Sequence, residues 1–453
     1  MTFSSDSPAT VIVGAGMSGL TAASELARAG RRCLLLESQD GIGGLSRTYT
    51  IDEIPFDLGP HVFFNDPDSE VGAFTNRLIA GEPMLRRPYR FGIEAKGRYW
   101  SFPLSAPELL RYPWRYKRQI LWNRLVKQRQ AGLHPESLAS FMTGKSGTAC
   151  YDDVFSHLIY KKTLLPGSHL HFHWWLRVDR TADNRLEPPP ANVLKRGRFF
   201  ERMARKLAPW YIYPKDGFER LPQLLWERYR QAGGETILNC GPVTLDTDGQ
   251  TVKSVTVQGN TMPVREVIWT GNINSLNSLL GAAAPKLDYV DMAIICLTYN
   301  QQRQAHRPFI YTYHTDPEYV FNRIYYPSNI YGHALPDGRE GLCLELNLGE
   351  DIKGSSPDEL IKLAVANIEK MGLHPGKSLR ESRIFMIKDA LPVYGLDYQA
   401  KMEEAYRSVR VHKNLLAVGR QGGYFFCLSP AAVGQGLKAA KAILASGQPA
   451  ASV

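Results

Sequence analysis

Apolar residues enter this chain as short unbroken runs and later settle into alternation. Val11-Ile-Val13 and Cys33-Leu-Leu-Leu36 are continuous runs, the pattern of strands buried on both faces of a parallel sheet. Between them, Leu20 to Ala29 has helical composition and stops at Gly30. The unit predicted is strand–helix–strand. Thr236-Ile-Leu238, Val267-Ile-Trp269 and Leu415-Leu-Ala-Val418 repeat the strand pattern far downstream. From Tyr289 to about Ile384 the segments turn β-rich and alternating, as in Met292–Tyr299, Phe309–Tyr313 and Gly341–Asn347. That pattern predicts an antiparallel sheet. Two further strands are expected, one ending at Ile93 and one running from Arg98 to Pro103. Helices are expected over Leu109–Gln130, Phe218–Ala232 and Pro357–Met371, the last capped by Ser355 or Ser356, and from Val433 onward.

The first unit carries chemistry. Gly14, Gly16 and Gly19 stand in G-x-G-x-x-G spacing between strand and helix, and the second strand ends in Glu37. In that spacing the first glycine makes the turn. The second lets backbone N–H groups approach a pyrophosphate, and the third lets helix pack on strand. The helix N-terminus then faces the negative charge. A carboxylate at Glu37 accepts from a ribose 2′-OH and repels a 2′-phosphate, which argues for NAD or the adenosine half of FAD over NADP. A second glycine loop, Gly41 to Thr48, follows at once. Gly43 and Gly44 allow the chain to run beside the cofactor, and Arg47 offers a cation there. Thr270-Gly271 allows another close backbone approach.

Composition narrows the picture further. With 453 residues and 44% apolar content, the chain can hold two or three domains on a large core. The formal charge of +10 favours an anionic ligand, a nucleic acid or an acidic membrane surface. Six scattered cysteines, with no C-x-x-C, read as reduced structural thiols of a cytoplasmic protein. The first residues lack the basic and apolar regions of a signal peptide, and no apolar run is long enough to span a bilayer. His169, His171 and His173 alternate, but nearby carboxylates do not fall into ligand spacing, so no metal is expected. The basic, aromatic stretch from Arg111 to Arg129 is read as a solvated helix with its aromatics in the core, in preference to a membrane-surface helix. No nucleic-acid partner is expected.

Several of these stretches resemble one group of proteins. The glycine loop after Glu37 resembles the G-G-x-x-R/S/T continuation of FAD-binding oxidoreductases in the amine oxidase group. Asp57-Leu-Gly-Pro-His-Val-Phe63, Tyr213-Pro-Lys-Asp-Gly217, Phe321-Asn-Arg-Ile-Tyr-Tyr-Pro327 and Leu391-Pro-Val-Tyr394 resemble segments of UDP-galactopyranose mutases and protoporphyrinogen-oxidase-like flavoproteins. The resemblance implies an α/β fold. A Rossmann-like FAD-binding domain would be built from residues 1–70, 206–275 and 384–453. A mainly helical substrate insertion would span 71–205, and an antiparallel β-sheet substrate domain 276–383. It implies FAD as cofactor, with His61 against the flavin, Val243 at the adenine end, and Gly419, Arg420 and the helix at Val433 on the flavin side. It implies Arg323 as a ligand of a substrate diphosphate, with Tyr325 in the same segment and Arg177 as a further substrate cation. His61 and Arg323 are the catalytic candidates. Two departures stand out: Leu391 replaces the mutases' tyrosine, and the late segment here reads Tyr424-Phe-Phe-Cys-Leu-Ser-Pro430. Leu391, Tyr424 and the phenylalanines could line a pocket for a less polar substrate. Two activities follow as expectations: pyranose–furanose isomerisation of a nucleotide-sugar through flavin N5, or hydride transfer to N5 from a less polar substrate.

No cysteine or histidine lies in an evident flavin-attachment motif. Denatured protein should therefore release all of its flavin as FAD, measured by chromatography of the supernatant. A precipitate that stays yellow would contradict this.

Overall fold

The computed structural model describes residues 9–61, 63, 69–102, 110–127, 137–177, 210–301, 309–331 and 338–446. Two large sheets organise them. The first has the order Val243–Thr247, Val252–Val257, Asn260–Trp269, Ala9–Val13, Cys33–Leu36, Glu235–Ile237, with Leu415–Ala417 also on Asn260–Trp269. Its centre is parallel, and the apolar runs there are buried on both faces: Val11, Ile12, Leu35, Leu36, Val267 and Ile268 are fully enclosed. Asn260–Trp269 does two jobs. Its first half closes an antiparallel meander, and its second half joins the parallel core.

The second sheet has the order Leu379–Pro392, Tyr289–Tyr299, Glu340–Asn347, Arg323–Tyr325, Tyr311–His314, Phe91–Ala95, Arg98–Phe102. It extends past both expected limits. Leu379–Pro392 runs through position 384, and the hairpin Phe91–Phe102, whose two strands were expected, comes from within the insertion 71–205 rather than from 276–383. The hairpin joins because Ile93 and Ala95 need burial and Tyr311–His314 offers a parallel edge. That parallel pair makes the sheet mixed. Pro103 and residues 128–136 lie outside the described residues, and Arg129 with them.

Helices flank the sheets. Met17–Arg28, Arg220–Gln231 and Ser429–Ser446 pack on the first sheet's side, and Trp114–Lys127, Leu138–Ser146 and Ser156–Thr163 form the helical insertion. Ser356 caps Pro357–Lys370 through a reciprocal bond with Glu359. Three findings differ from the sequence reading. The last helix starts at Ser429, not Val433. A helix over Tyr398–Val411 was not expected. Trp114 and Trp122 point outward, 72% and 66% exposed, where the core was expected to hold them. All six cysteines are buried free thiols. Among the described residues no group of histidines, cysteines and carboxylates suits a metal, and no helix is long and apolar enough to cross a membrane.

One buried carboxylate ties the two sheets together. Asp57 is fully enclosed. Its Oδ1 accepts from Thr48 Oγ1 at 2.5 Å and from the Phe218 N–H at 3.0 Å. Its Oδ2 accepts from the hydroxyls of Tyr213, of Tyr325 at 3.1 Å and of Tyr331 at 3.1 Å. Five donors take the place of water around this charge. Asp57→Ala leaves those donors buried and unpaired, at about 1–3 kcal/mol each before relaxation. The variant should lose at least ~3 kcal/mol of stability, or fail to accumulate folded. Asp57→Asn should lose less, because its carbonyl oxygen still accepts. Urea midpoints of the three proteins measure this.

Candidate functional site

The cradle begins where the first strand turns into the first helix. Gly14 takes a φ of +103°, which a side chain would strain, and a Cβ there would meet Thr270 Oγ1 at 2.2 Å. Thr270 Oγ1 instead donates to the carbonyls of Val13 and Gly14, at 2.9 and 3.3 Å. A Cβ on Gly19 would lie 1.9 Å from the Gly14 carbonyl oxygen, so only glycine lets the helix approach the strand. Gly16 is different, because no atom lies within 4 Å of where its Cβ would be. Its backbone faces open space at the helix N-terminus. Gly43 bridges to Gly16 and donates to the Ala15 carbonyl at 2.7 Å, which seats the Gly43–Gly44 loop across the first turn.

Glu37 is buried at the end of its strand. Its carboxylate accepts from the Ala15 N–H at 2.7 Å and the Gln39 N–H at 2.9 Å. The Cys240 N–H donates to the Glu37 carbonyl, which brings the lead-in to Val243 beside the acid. From the other end of the chain, Ser18 Oγ donates to the Ala432 carbonyl at 2.9 Å. A Cβ on Gly436 would lie 2.4 Å from the Ser18 carbonyl oxygen. The N-terminal ends of the first and last helices therefore sit together. Gly419 closes the far side at a φ of +87°, its N–H donating to Gln435 Oε1. Two helix N-termini, an open glycine backbone and a buried ribose-type acid fit an anionic dinucleotide.

His61 stands between this cradle and the second sheet. Its Nε2–H donates to the Leu45 carbonyl at 2.9 Å, and its ring stacks on Phe218 at 4.5 Å. Burial holds its pKa below the ordinary range; Asp57 works the other way and Arg420 adds to the lowering. The imidazole is therefore neutral. Its own loop touches the next group: a Cβ on Gly59 would lie 2.4 Å from Glu345 Oε1.

Glu345 is the partner of Arg323. The two face each other across adjacent strands, and the Arg323 guanidinium grips both carboxylate oxygens, Nε to Oε2 at 2.9 Å. Its Nη1 donates to Tyr313 Oη at 3.3 Å, and its plane lies over Tyr311 at 5.1 Å. Burial works against the Arg323 charge, but Glu345 and Tyr313 outweigh it and keep the guanidinium protonated. Lys162, from the helical insertion, donates to Tyr313 Oη at 3.3 Å, and burial lowers its pKa. Burial would raise the Tyr313 phenol; Lys162 and Arg323 overcome it and bring the pKa down to about 8. Arg177 takes a left-handed backbone at the end of His173–Leu176 and lies over the Phe426 ring at 5.0 Å. Tyr89, Phe91 and Tyr311 form an aromatic wall beside the cluster.

The residues expected from sequence divide cleanly. Gly14, Gly16, Gly19, Glu37, Gly43, Gly44, Thr270 and Gly419 gather at the cradle, and His61, Arg323 and Arg177 face the cluster around Tyr313. Arg47 packs under the glycine loop and pairs with exposed Asp40 at 2.8 Å. Arg420 spends its guanidinium on the Cys427 carbonyl at 2.7 Å. Val243 is a buried strand residue, and Val433 lies a turn inside the last helix, behind its N–H-bearing end. Three residues sit elsewhere. Tyr325 gives its hydroxyl to Asp57. Leu391 belongs to the core. Tyr424, buried with a φ of +45°, donates to the carbonyls of Asp288 and Val393. Glu345, Tyr313 and Lys162 were not singled out in sequence. Glu345 was visible only through strand register, and Lys162 only through tertiary packing.

Comparison with known proteins bears on the same site. Residues 17–444 match the family described as flavin containing amine oxidoreductase. The chain is 34% identical over 99 residues to a provisional flavin-containing monoamine oxidase, AofH, of Mycobacterium tuberculosis. That match covers 22% of this chain and 22% of the relative, so only about a fifth of the relative's length is spanned. The fold is similar to that of reduced UDP-galactopyranose mutase, with a TM-score of 0.76 and 19% identity over 97% of this chain and 94% of that one. It is also similar to cyclohexylamine oxidase from Brevibacterium oxydans, with a TM-score of 0.66 and 15% identity over 97% and 99%.

The Tyr313 contacts have a spectroscopic consequence. One tyrosine should ionise near pH 8, about two units below an ordinary phenol. The phenolate absorbance of the wild type minus that of Tyr313→Phe should titrate there. Lys162→Met removes the largest favourable charge and should move that step upward. A difference spectrum that stays flat to pH 10 would show that the cations do not reach the phenol.

Proposed function

The chain belongs to the flavin containing amine oxidoreductase family and is an FAD-dependent enzyme; we propose that it acts on an anionic small molecule of the nucleotide-sugar class in a mutase-like isomerisation. One observation carries this reading: Arg323 and Lys162 both donate to Tyr313, the charge of Arg177 over Phe426 reaches the same phenol, and the one carboxylate that grips Arg323 is Glu345. The excess positive charge suits a diphosphate. FAD, when bound, supplies N5 as a hydride acceptor or, reduced, as a nucleophile.

The chain's own residues divide the remaining work. Glu37, Gly16, Gly43, Gly44, Thr270 and Gly419 would hold the dinucleotide, and Val243 and Val433 would support that cradle. Neutral His61, beside the cradle, would face the flavin without adding charge. Arg323 and Arg177 bind and orient the substrate, and Lys162 holds Tyr313 ready to exchange a proton near neutral pH. The aromatic wall keeps water from the reacting face. In this reading 1–70, 206–275 and 384–453 serve the cofactor, and 71–205 with 276–383 serve the substrate; the hairpin Phe91–Phe102 and all of Leu379–Pro392 go with the second sheet.

A second reading has its own support. The fork of Arg323 is already taken up by Glu345, which leaves less of it for a diphosphate. That favours an oxidase acting on a less polar substrate by hydride transfer to N5. Titration of UDP and UDP-sugars against the flavin spectrum, in oxidised and dithionite-reduced protein, separates the two. The mutase reading expects a saturable spectral change that Arg323→Ala and Arg177→Ala each weaken at least ~10-fold, about 1.4 kcal/mol. If no diphosphate perturbs the flavin while an uncharged amine bleaches it aerobically, the oxidase reading takes its place.

A further inference from the structure

The helix Trp114–Lys127 is turned the wrong way round for a helix of a water-soluble surface. Its uncharged polar side chains face the protein. Gln119 Oε1 accepts from the Ala149 N–H at 3.0 Å, and Asn123 Nδ2 donates to the carbonyls of Thr143 at 2.9 Å and Gly144 at 3.3 Å. Tyr116, on the same side, is buried and bonded to Asp153. Gly147 fits closely against Gln119, so this docking is tight rather than incidental. The opposite side follows an i, i+4, i+7, i+8 stripe of Trp114, Arg118, Leu121 and Trp122. Trp114, Leu121 and Trp122 are 72%, 59% and 66% exposed, and Leu110 just before the helix is 82% exposed. Scattered exposed apolar residues need no explanation, but two tryptophans and two leucines on one ridge do.

Charge selects the occupant. Between Leu110 and Lys127 there are six arginines and lysines and no aspartate or glutamate. Arg115 pairs with Asp153 across the insertion, while Arg111 and Arg118 are exposed beside the tryptophans. Indole rings settle at the headgroup level of a bilayer, and clustered cations add attraction to anionic lipid. A convex ridge that joins both features complements a flat, negatively charged, partly apolar surface. We propose that this helix seats the protein on an anionic lipid bilayer, with Trp114, Leu121 and Trp122 entering the headgroup region and Arg111, Lys117 and Arg118 meeting phosphates.

Flotation of the FAD-loaded full chain with vesicles tests this. The protein should float with phosphatidylcholine–phosphatidylglycerol vesicles, stay behind with phosphatidylcholine alone, and be released by high salt. Trp114→Ala with Trp122→Ala should cut partitioning by roughly tenfold or more, and Arg118→Glu should also weaken it. Both variants should keep their full flavin content, which certifies the fold separately from binding. A wild type that remains in solution with the anionic vesicles overturns the proposal. So does light scattering that shows a dimer lost on replacing Trp122, because the ridge would then meet a second copy of the chain. Retention by duplex DNA without vesicle binding also overturns it.

Discussion

A buried carboxylate held, among the described residues, by hydroxyls and one backbone amide sits at the middle of this molecule. Asp57 is enclosed by hydroxyl and amide donors alone, and those donors come from the glycine-loop strand, the return strand at Tyr213, the turn at Phe218 and the second sheet. Each contact would be modest in water. Inside the protein the group must be fully satisfied, so the donors act as a set. That requirement sets the spacing between the first and the second sheet. It also fixes the four residues that lead to His61. The imidazole is placed by the carboxylate before its own bond to Leu45 and its stacking on Phe218 refine the position.

The second constraint is steric. Where the first helix meets the first strand, and again where it meets the last helix, backbone stands in contact with backbone at Gly19 and Gly436. Close approach brings two helix N-termini onto one spot and sums their partial charges. Across the molecule, Gly59 does the equivalent service for the Arg323–Glu345 pair, which lies where a side chain at 59 would otherwise stand. The glycine cradle and the Arg323–Glu345 pair thus both depend on missing side chains.

Much of this was legible in sequence, for a physical reason. The dinucleotide cradle is local: its glycines and its acid lie within one strand–helix–strand unit, so spacing alone conveys the geometry. Parallel core strands announce themselves as unbroken apolar runs. Arg323 could be singled out, but its neutralising partner could not, because Glu345 is opposite it only in a strand register that sequence does not print. Tyr325 shares a strand with Arg323 yet serves Asp57, and nothing nearby in sequence distinguishes the two roles. The helix Tyr398–Val411 did carry a signal: Tyr398, Met402, Ala405, Tyr406 and Val409 keep helical spacing and are all buried. Trp114 and Trp122 defeated the expectation that aromatics turn inward, since the inward side is claimed by amide hydrogen bonds from Gln119 and Asn123.

The bond from Ser18 to Ala432 joins residues 414 positions apart. A chain made from its N-terminus exposes the glycine turn early, yet the helix Ser429–Ser446, which packs against it, comes long after. Arg220–Gln231 packs on the first helix sooner, but the side against Ser429–Ser446 waits for that later helix. The unit that looks most self-contained in sequence therefore depends on residues far downstream to become whole.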